Sequence, residues 1–188
     1  MKNAVTPLTL ARGGAYGKPC AQAADLMGTQ SFRVHVTKDY LKFSAAHFIA
    51  YKGFRETLHG HNYRVSVEVE GDLGAEGYVL DFGIVKRIAR RVCDRLDAKM
   101  LIPAQSDCLQ IREEAGQVSV RYEDHEFRFP VQDVVLVPIA HSSAEELARY
   151  VAGEIQHELA VEGVQRIRAI QIGVEETSGQ AAYFREWL

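Results

Sequence analysis

From Ser31 onward, apolar and polar residues alternate. Phe32, Val34 and Val36 stand against Arg33, His35 and Thr37, the two-residue period of a strand with one buried face. A second strand is expected over residues 41–48. Residues 51–58 read as a loop broken at Gly53. Residues 61–71 alternate cleanly, with Tyr63, Val65, Val67 and Val69 opposite Arg64, Ser66, Glu68 and Glu70. They predict a long half-buried strand. The period then changes. Ile84, Val85, Ile88, Ala89, Val92 and Leu96 form a stripe at helical spacing, and Asp81 is placed to cap that helix by accepting its free first-turn amides. Pro103 ends this region.

Residues 108–130 hold short alternating runs broken at Glu114-Ala115-Gly116 and Glu123-Asp124. They predict an inserted β-hairpin or a three-stranded excursion. Ser142 or Ser143 opens a second helix, each with a glutamate three residues on (Glu145 or Glu146), the spacing of a capping box. Leu147, Val151 and Ile155 form its buried face. Residues 166–177 predict a strand with Ile170, Ile172, Val174 and Glu176 on one face, and residues 181–187 a last short strand. Strands, helix, insert, helix, strands is an α+β order: an antiparallel sheet with two helices on one face. Residues 1–30, rich in Ala and Gly with weak periodicity, read as an N-terminal extension to a single domain over 31–188.

Composition narrows the function. Of 188 residues, 47% are hydrophobic, enough for a real core, and the net charge of −3 with no basic run argues against a nucleic-acid partner. The three cysteines, Cys20, Cys93 and Cys108, are far apart and odd in number, which fits a reducing compartment rather than a disulfide framework. No apolar run approaches the roughly 20 residues of a membrane span. The broken apolar pattern of the first residues does not resemble a signal peptide. The expectation is a cytoplasmic protein.

The sharpest chemistry lies in Leu58-His59-Gly60-His61-Asn62-Tyr63. On a strand, residues i and i+2 project from one face, so His59 and His61 can hold one ion, with Gly60 leaving room beside it. His47 ends the preceding strand and comes near if the two strands pair antiparallel. Three imidazoles with an open fourth position form the ligand pattern of a catalytic zinc. His35, His125 and His157 have no such company.

At these residues the chain resembles the 6-pyruvoyl-tetrahydropterin synthase and 6-carboxy-tetrahydropterin synthase family. Phe43-Ser44-Ala45-Ala46-His47 matches its first zinc motif and residues 58–63 its second. Asp81-Phe82, Ser142-Ser143-Ala144-Glu145-Glu146-Leu147-Ala148 and Val174-Glu175-Glu176-Thr177 resemble its first-helix start, second-helix start and pterin-anchoring strand. The resemblance implies a tunnelling fold. In that fold, four-stranded sheets from several subunits join into a barrel, as a trimer or hexamer with sites at subunit interfaces. It also implies Zn2+ on His47, His59 and His61, and a reduced pterin gripped by Glu176, with Ser143 as a further substrate-binding residue; by their charge, Arg55 and Lys52 are candidates to meet the triphosphate. A carboxylate suits the pterin ring because two oxygens can accept from a ring N–H and an exocyclic amine together.

The chain departs from the family at two points. The cysteine that usually precedes H-G-H is absent from Gly53-Phe54-Arg55-Glu56-Thr57-Leu58, and the usual Asp-His dyad reads Asp97-Ala98. Glu56 then stands as the replacement base, Asp97 as the retained member of the dyad, and His141, just before the second helix, as the candidate for the missing histidine. The pattern resembles a glutamate-type subgroup that cleaves the side chain of dihydroneopterin triphosphate to 6-hydroxymethyl-dihydropterin. The expected activity is therefore a zinc-dependent lyase. The rival expectations are a standard 6-pyruvoyl or 6-carboxy synthase and a non-catalytic pterin-binding protein.

Overall fold

The computed structural model describes residues 31–188; the expected extension over residues 1–30, with Cys20, lies outside the described residues. In chain order the elements are β1 (Phe32–His47), β2 (Ala50–Tyr51), β3 (Phe54–Arg55), β4 (His59–Gly71), α1 (Phe82–Leu96), β5 (Lys99–Pro103), β6 (Gln110–Glu114), β7 (Gln117–Tyr122), β8 (His125–Pro130), β9 (Val134–Val137), α2 (Ala144–Val161), β10 (Ile167–Thr177) and β11 (Gln180–Trp187).

The two strands expected over residues 31–48 are one continuous strand. Between Thr37 and Lys42, β1 advances five residues while β4, from Ser66 to Arg64, advances two. This bulge resets the phase of the alternation. Val36 is buried before it, and Leu41, Phe43, Ala45 and His47 after it. The phase change made one strand look like two. The expected loop after His47 contains the small β2–β3 hairpin, with Gly53 at φ 83 in its turn.

The sheet runs β11-β10-β4-β1-β5-β9. The expected four-stranded antiparallel sheet is the β11-to-β1 part of it. β5 and β9 extend it to six strands, pairing in parallel with β1 and with each other. Neither strand alternates in sequence. Lys99–Pro103 is buried at all but its first residue, the continuous apolar run typical of a parallel strand covered on both faces.

Both helices pack against the apolar face of the sheet. Val85, Ile88, Val92 and Leu96 of α1 and Leu147, Val151 and Ile155 of α2 share one core with Val65, Val67, Ile170 and Ile172. Burying each such side chain contributes about 1.5–3 kcal/mol against the entropy of ordering the chain. The α1 start is fixed by Asp81, whose Oδ1 accepts from the Gly83 amide at 2.6 Å. At α2, Ser143 is the cap, accepting from the Glu146 amide at 3.4 Å. Neither described helix is long and apolar enough to cross a membrane.

The 108–130 insert is a three-stranded sheet, β6-β7-β8, with β7 central. It rests on a second core in which Val118, Val120 and Tyr122 meet Phe48, Met100 and Ile102. The insert therefore sits against the end of β1 that carries His47.

Candidate metal centre and adjoining cleft

The antiparallel register of β1 and β4 places His47 directly opposite His59, and Ala45 opposite His61. Three imidazoles thus converge from two paired strands. Their ring centroids are 4.6, 5.1 and 4.9 Å apart, and one ligand nitrogen from each lies within 4.8 Å of the others. The two strands approach closely here. A Cβ on Gly60 would stand 3.0 Å from the Ala45 carbonyl oxygen, so glycine at this position keeps the spacing.

Second contacts set the ring orientations. His47 is 1% exposed, and its Nδ1 lies 2.8 Å from the Ser142 carbonyl oxygen. Nδ1 therefore carries the proton and donates it, which leaves a lone pair on Nε2. That Nε2 is buried and has no hydrogen-bond partner among the described residues. Leaving it so costs about 1–3 kcal/mol, a penalty that a bound cation would offset. His59 Nδ1 is held in the same way, 2.8 Å from the Thr57 carbonyl oxygen. Burial lowers the His47 pKa, the bond to Ser142 opposes the shift, and the neighbouring His59 and His61 lower it further. The neutral imidazole so favoured is the ligand form. The donor set therefore fits a divalent ion that takes nitrogen ligands.

Glu56 is beside this group, and its charge bears on the His47 ring. It is pinned at three atoms: its amide donates to the Ile49 carbonyl (2.9 Å), its Oε2 accepts from the Ile49 amide (2.9 Å), and its carbonyl accepts from Arg55 Nη1 (2.6 Å). Among the described residues Oε1 has no hydrogen-bond partner.

Glu176, near the end of β10, lies on the boundary of two adjoining depressions. One, of about 400 Å³, is shared with His61, Asn62 and Arg64; the other, of about 290 Å³, with Ile49, Ser143 and Ala182. His61 of the histidine group and the helix-cap residue Ser143 therefore border two depressions that meet at Glu176. Beneath them Tyr63 stacks on Phe43 at 4.7 Å and meets His61 edge-on at 5.4 Å. Its hydroxyl is buried, with no partner in hydrogen-bond geometry among the described residues. Burial first, then the adjacent charge of Glu176, pushes its pKa up. A further depression of about 660 Å³ lies elsewhere, on the polar face of the sheet around His35, Glu68 and Tyr183.

The other expected site residues stand apart from the cleft. Asp97 is exposed at the end of α1, where its Oδ1 accepts from the Ser44 amide at 2.7 Å. The next residue, Ala98, is at φ 56. His141 Nδ1 lies 3.2 Å from the Ala50 carbonyl oxygen, against the β2–β3 hairpin. The Arg55 guanidinium lies over the rings of Phe127 and Phe48, at 5.2 and 5.8 Å from their centroids, and Lys52 is exposed on the hairpin turn. The sequence carried no sign of the Ser142 carbonyl or the Ile49 amide as partners, because backbone groups leave no mark in residue identity. For Ser142, the one available signal was the run of polar residues before α2.

Comparison with known proteins agrees with this arrangement. The profile of the family described as "6-pyruvoyl tetrahydropterin synthase" matches residues 35–186. A Methanocaldococcus jannaschii protein named "Putative 6-carboxy-5,6,7,8-tetrahydropterin synthase" is 35% identical over 149 residues, which cover 79% of this chain and 91% of that protein. The dihydroneopterin monophosphate aldolase of Pyrococcus furiosus is 39% identical over 59 residues, 31% of this chain and 50% of that one. The crystal structure of the Plasmodium vivax 6-pyruvoyl tetrahydropterin synthase superposes with a TM-score of 0.81 at 37% identity, over 85% of this chain and 100% of that one. The Plasmodium vivax protein has also been solved with a glutamate, described as a catalytic residue, replaced by alanine or by cysteine. With its histidine motifs inside a profile match that spans most of its length, the chain belongs to the 6-pyruvoyl tetrahydropterin synthase family.

Proposed function

We propose that the chain is a zinc-dependent lyase that cleaves the side chain of 7,8-dihydroneopterin triphosphate to 6-hydroxymethyl-dihydropterin. The observation that carries this reading is Glu56: a carboxylate beside the histidine group, with one oxygen anchored on the Ile49 amide and the other without a partner among the described residues. It occupies the stretch before H-G-H where a cysteine is expected. A relative of known structure carries a catalytic glutamate, and another relative is an aldolase.

His47, His59 and His61 would hold the ion, and zinc suits three imidazoles with an open position. When bound, it supplies a positive charge that acidifies a hydroxyl of the substrate. Glu176 grips the pterin ring and Ser143 lies along the same cleft, which fixes the side chain against Glu56. Glu56 Oε1 takes the hydroxyl proton from the second side-chain carbon. That carbon becomes an aldehyde as its bond to the first side-chain carbon breaks. The electron pair is taken up by the ring imine. Return of the proton to the first carbon leaves the hydroxymethyl group. A carboxylate is suited to removing an O–H proton, and less suited than a thiolate to removing one from carbon.

The chain would work as a homo-oligomer, a trimer or hexamer of tunnelling-fold subunits. One second reading has a specific observation behind it. The Methanocaldococcus jannaschii relative is named as a 6-carboxy-tetrahydropterin synthase, so this chain would form that product instead. Incubation with dihydroneopterin triphosphate and identification of the pterin separates the readings. A hydroxymethyl pterin supports the lyase, a carboxy or pyruvoyl pterin the synthases, and binding without turnover a non-catalytic protein. Glu56→Ala should lower kcat by about 10²–10⁴ with zinc content unchanged. Undiminished turnover would remove Glu56 from the base role.

A further inference from the structure

Glu56 lies on a short loop after a two-residue strand, a weak support for a group that must be held to a fraction of an ångström. The β6–β8 insert supplies what the loop lacks. Phe127, on β8, stacks on Phe48 with ring centroids 5.2 Å apart and planes 29° apart. Phe48 is buried, directly follows the ligand His47, and has its own carbonyl fixed by the Ser142 hydroxyl at 2.9 Å. The Arg55 guanidinium lies across this aromatic pair, and its Nη1 donates to the Glu56 carbonyl at 2.6 Å. A second tie runs from the Tyr122 hydroxyl of β7 to the Tyr51 carbonyl of the β2–β3 hairpin at 3.1 Å.

We propose that the insert is a positioning device for the base. Phe127 and Phe48 hold Arg55, and Arg55 holds the Glu56 backbone so that its carboxylate stays on the Ile49 amide beside His47. Arg55 and Phe127 are positioning residues that touch neither substrate nor ion. This assignment rests on Glu56 being the base. It gives Arg55 work that competes with phosphate binding, because the guanidinium lies across two rings and turns Nη1 to the Glu56 carbonyl. It also gives the insert a role beyond covering the Met100–Ile102 edge.

The test uses the full-length zinc-loaded protein and the variants Arg55→Gln, Phe127→Leu and Glu56→Ala. Hydrogen exchange at the Ile49 and Glu56 amides reads the clamp without reference to activity. Turnover of dihydroneopterin triphosphate reads its consequence. In Arg55→Gln and Phe127→Leu, exchange at those two amides should quicken by about ten-fold or more, while zinc content and Tm stay near those of the parent. The kcat should fall by about ten-fold to a hundred-fold with little change in KM, since displacement of a reacting group by about 1 Å costs that much. Added to Glu56→Ala, Arg55→Gln should lower kcat no further, because both act through one group. Unchanged exchange in both variants overturns the clamp. Faster exchange with kcat unchanged overturns its positioning role. A Glu56→Ala protein as active as the parent instead sinks the base assignment, and the exchange rates then decide the clamp alone.

Discussion

His47 Nδ1 lies 2.8 Å from the Ser142 carbonyl oxygen. This contact joins the end of the first strand to the residue before the cap of the second helix, 95 positions later, and it decides which nitrogen of His47 faces the other two rings. An ion held by these rings would thereby be tied to the docking of α2. An ion that binds the folded chain and not the unfolded one stabilises it by about 4 kcal/mol at a thousand-fold excess over Kd. For a chain of this length that corresponds to roughly 8–16 °C in Tm, at about 2–4 °C per kcal/mol. Stripping the protein with a chelator should lower Tm by several degrees, and zinc should restore it. His47→Ala should abolish the zinc response. Calorimetry with metal analysis checks both; a Tm indifferent to zinc in the parent would mean that the three rings hold no ion.

Glu176 and Ser143 border one depression, and His61 borders the next. Glu176→Gln keeps the shape and removes the charge that favours a pterin's N–H groups. Charge-assisted hydrogen bonds are worth about 1.5–3 kcal/mol, so pterin affinity should fall by roughly 10- to 150-fold. Zinc content should stay the same, because Glu176 is not one of the three ligands. Titration with a reduced pterin, followed by fluorescence, reads the change. Equal affinity in the two proteins would place the ring elsewhere.

The sequence showed the α1 stripe, the β4 alternation and the Asp81 cap, and narrowed the second cap to Ser142 or Ser143, because each rests on spacing within a few residues. It hid β5 and β9, whose short apolar runs have no period. It hid the unity of β1, because a bulge shifts the phase between Val36 and Leu41. The histidine group was legible because three side chains of one chemical type fall on two adjacent strands. The setting of Arg55 was not: a guanidinium in a loop reads equally as an anion ligand, and only the fold brings Phe127 beneath it, 72 positions along the chain.

Cys93 belongs to the buried face of α1, and burial pushes its thiol pKa up to about 12. Thiolate, the reactive form, is then negligible near neutral pH. In the native protein, iodoacetamide at about pH 8 should leave Cys93 unmodified while the partly exposed Cys108 reacts. Both should react in denaturant, and peptide mapping distinguishes them. Rapid native labelling of Cys93 would show that α1 does not bury this face.

Three arginines of α1 face Glu154 and Glu158 of α2 and Glu162, the residue that caps its C-terminus. Arg95 meets Glu154 at 2.7 Å and Glu158 at 2.8 Å, Arg91 bonds Glu158 and Glu162, and Arg87 meets Glu162 at 2.5 Å. The pairs are solvent-accessible and each is weak, but Glu158 joins two arginines and couples the helices that cover the sheet. Its hydrogen bond to Arg95, then that to Arg91, holds its pKa below the ordinary glutamate value of 4.5. A carboxylate whose folded pKa is depressed stabilises the fold above its unfolded pKa. That contribution fades as the pH falls below 4.5 and through the lower folded value. Glu158→Gln should therefore unfold more easily than the parent near neutral pH. The difference should shrink below about pH 4 and be smaller in 1 M salt, where the Debye length is only about 3 Å. Urea unfolding at several pH values measures it. A stability gap that persisted undiminished in acid would show that Glu158 acts through packing rather than charge.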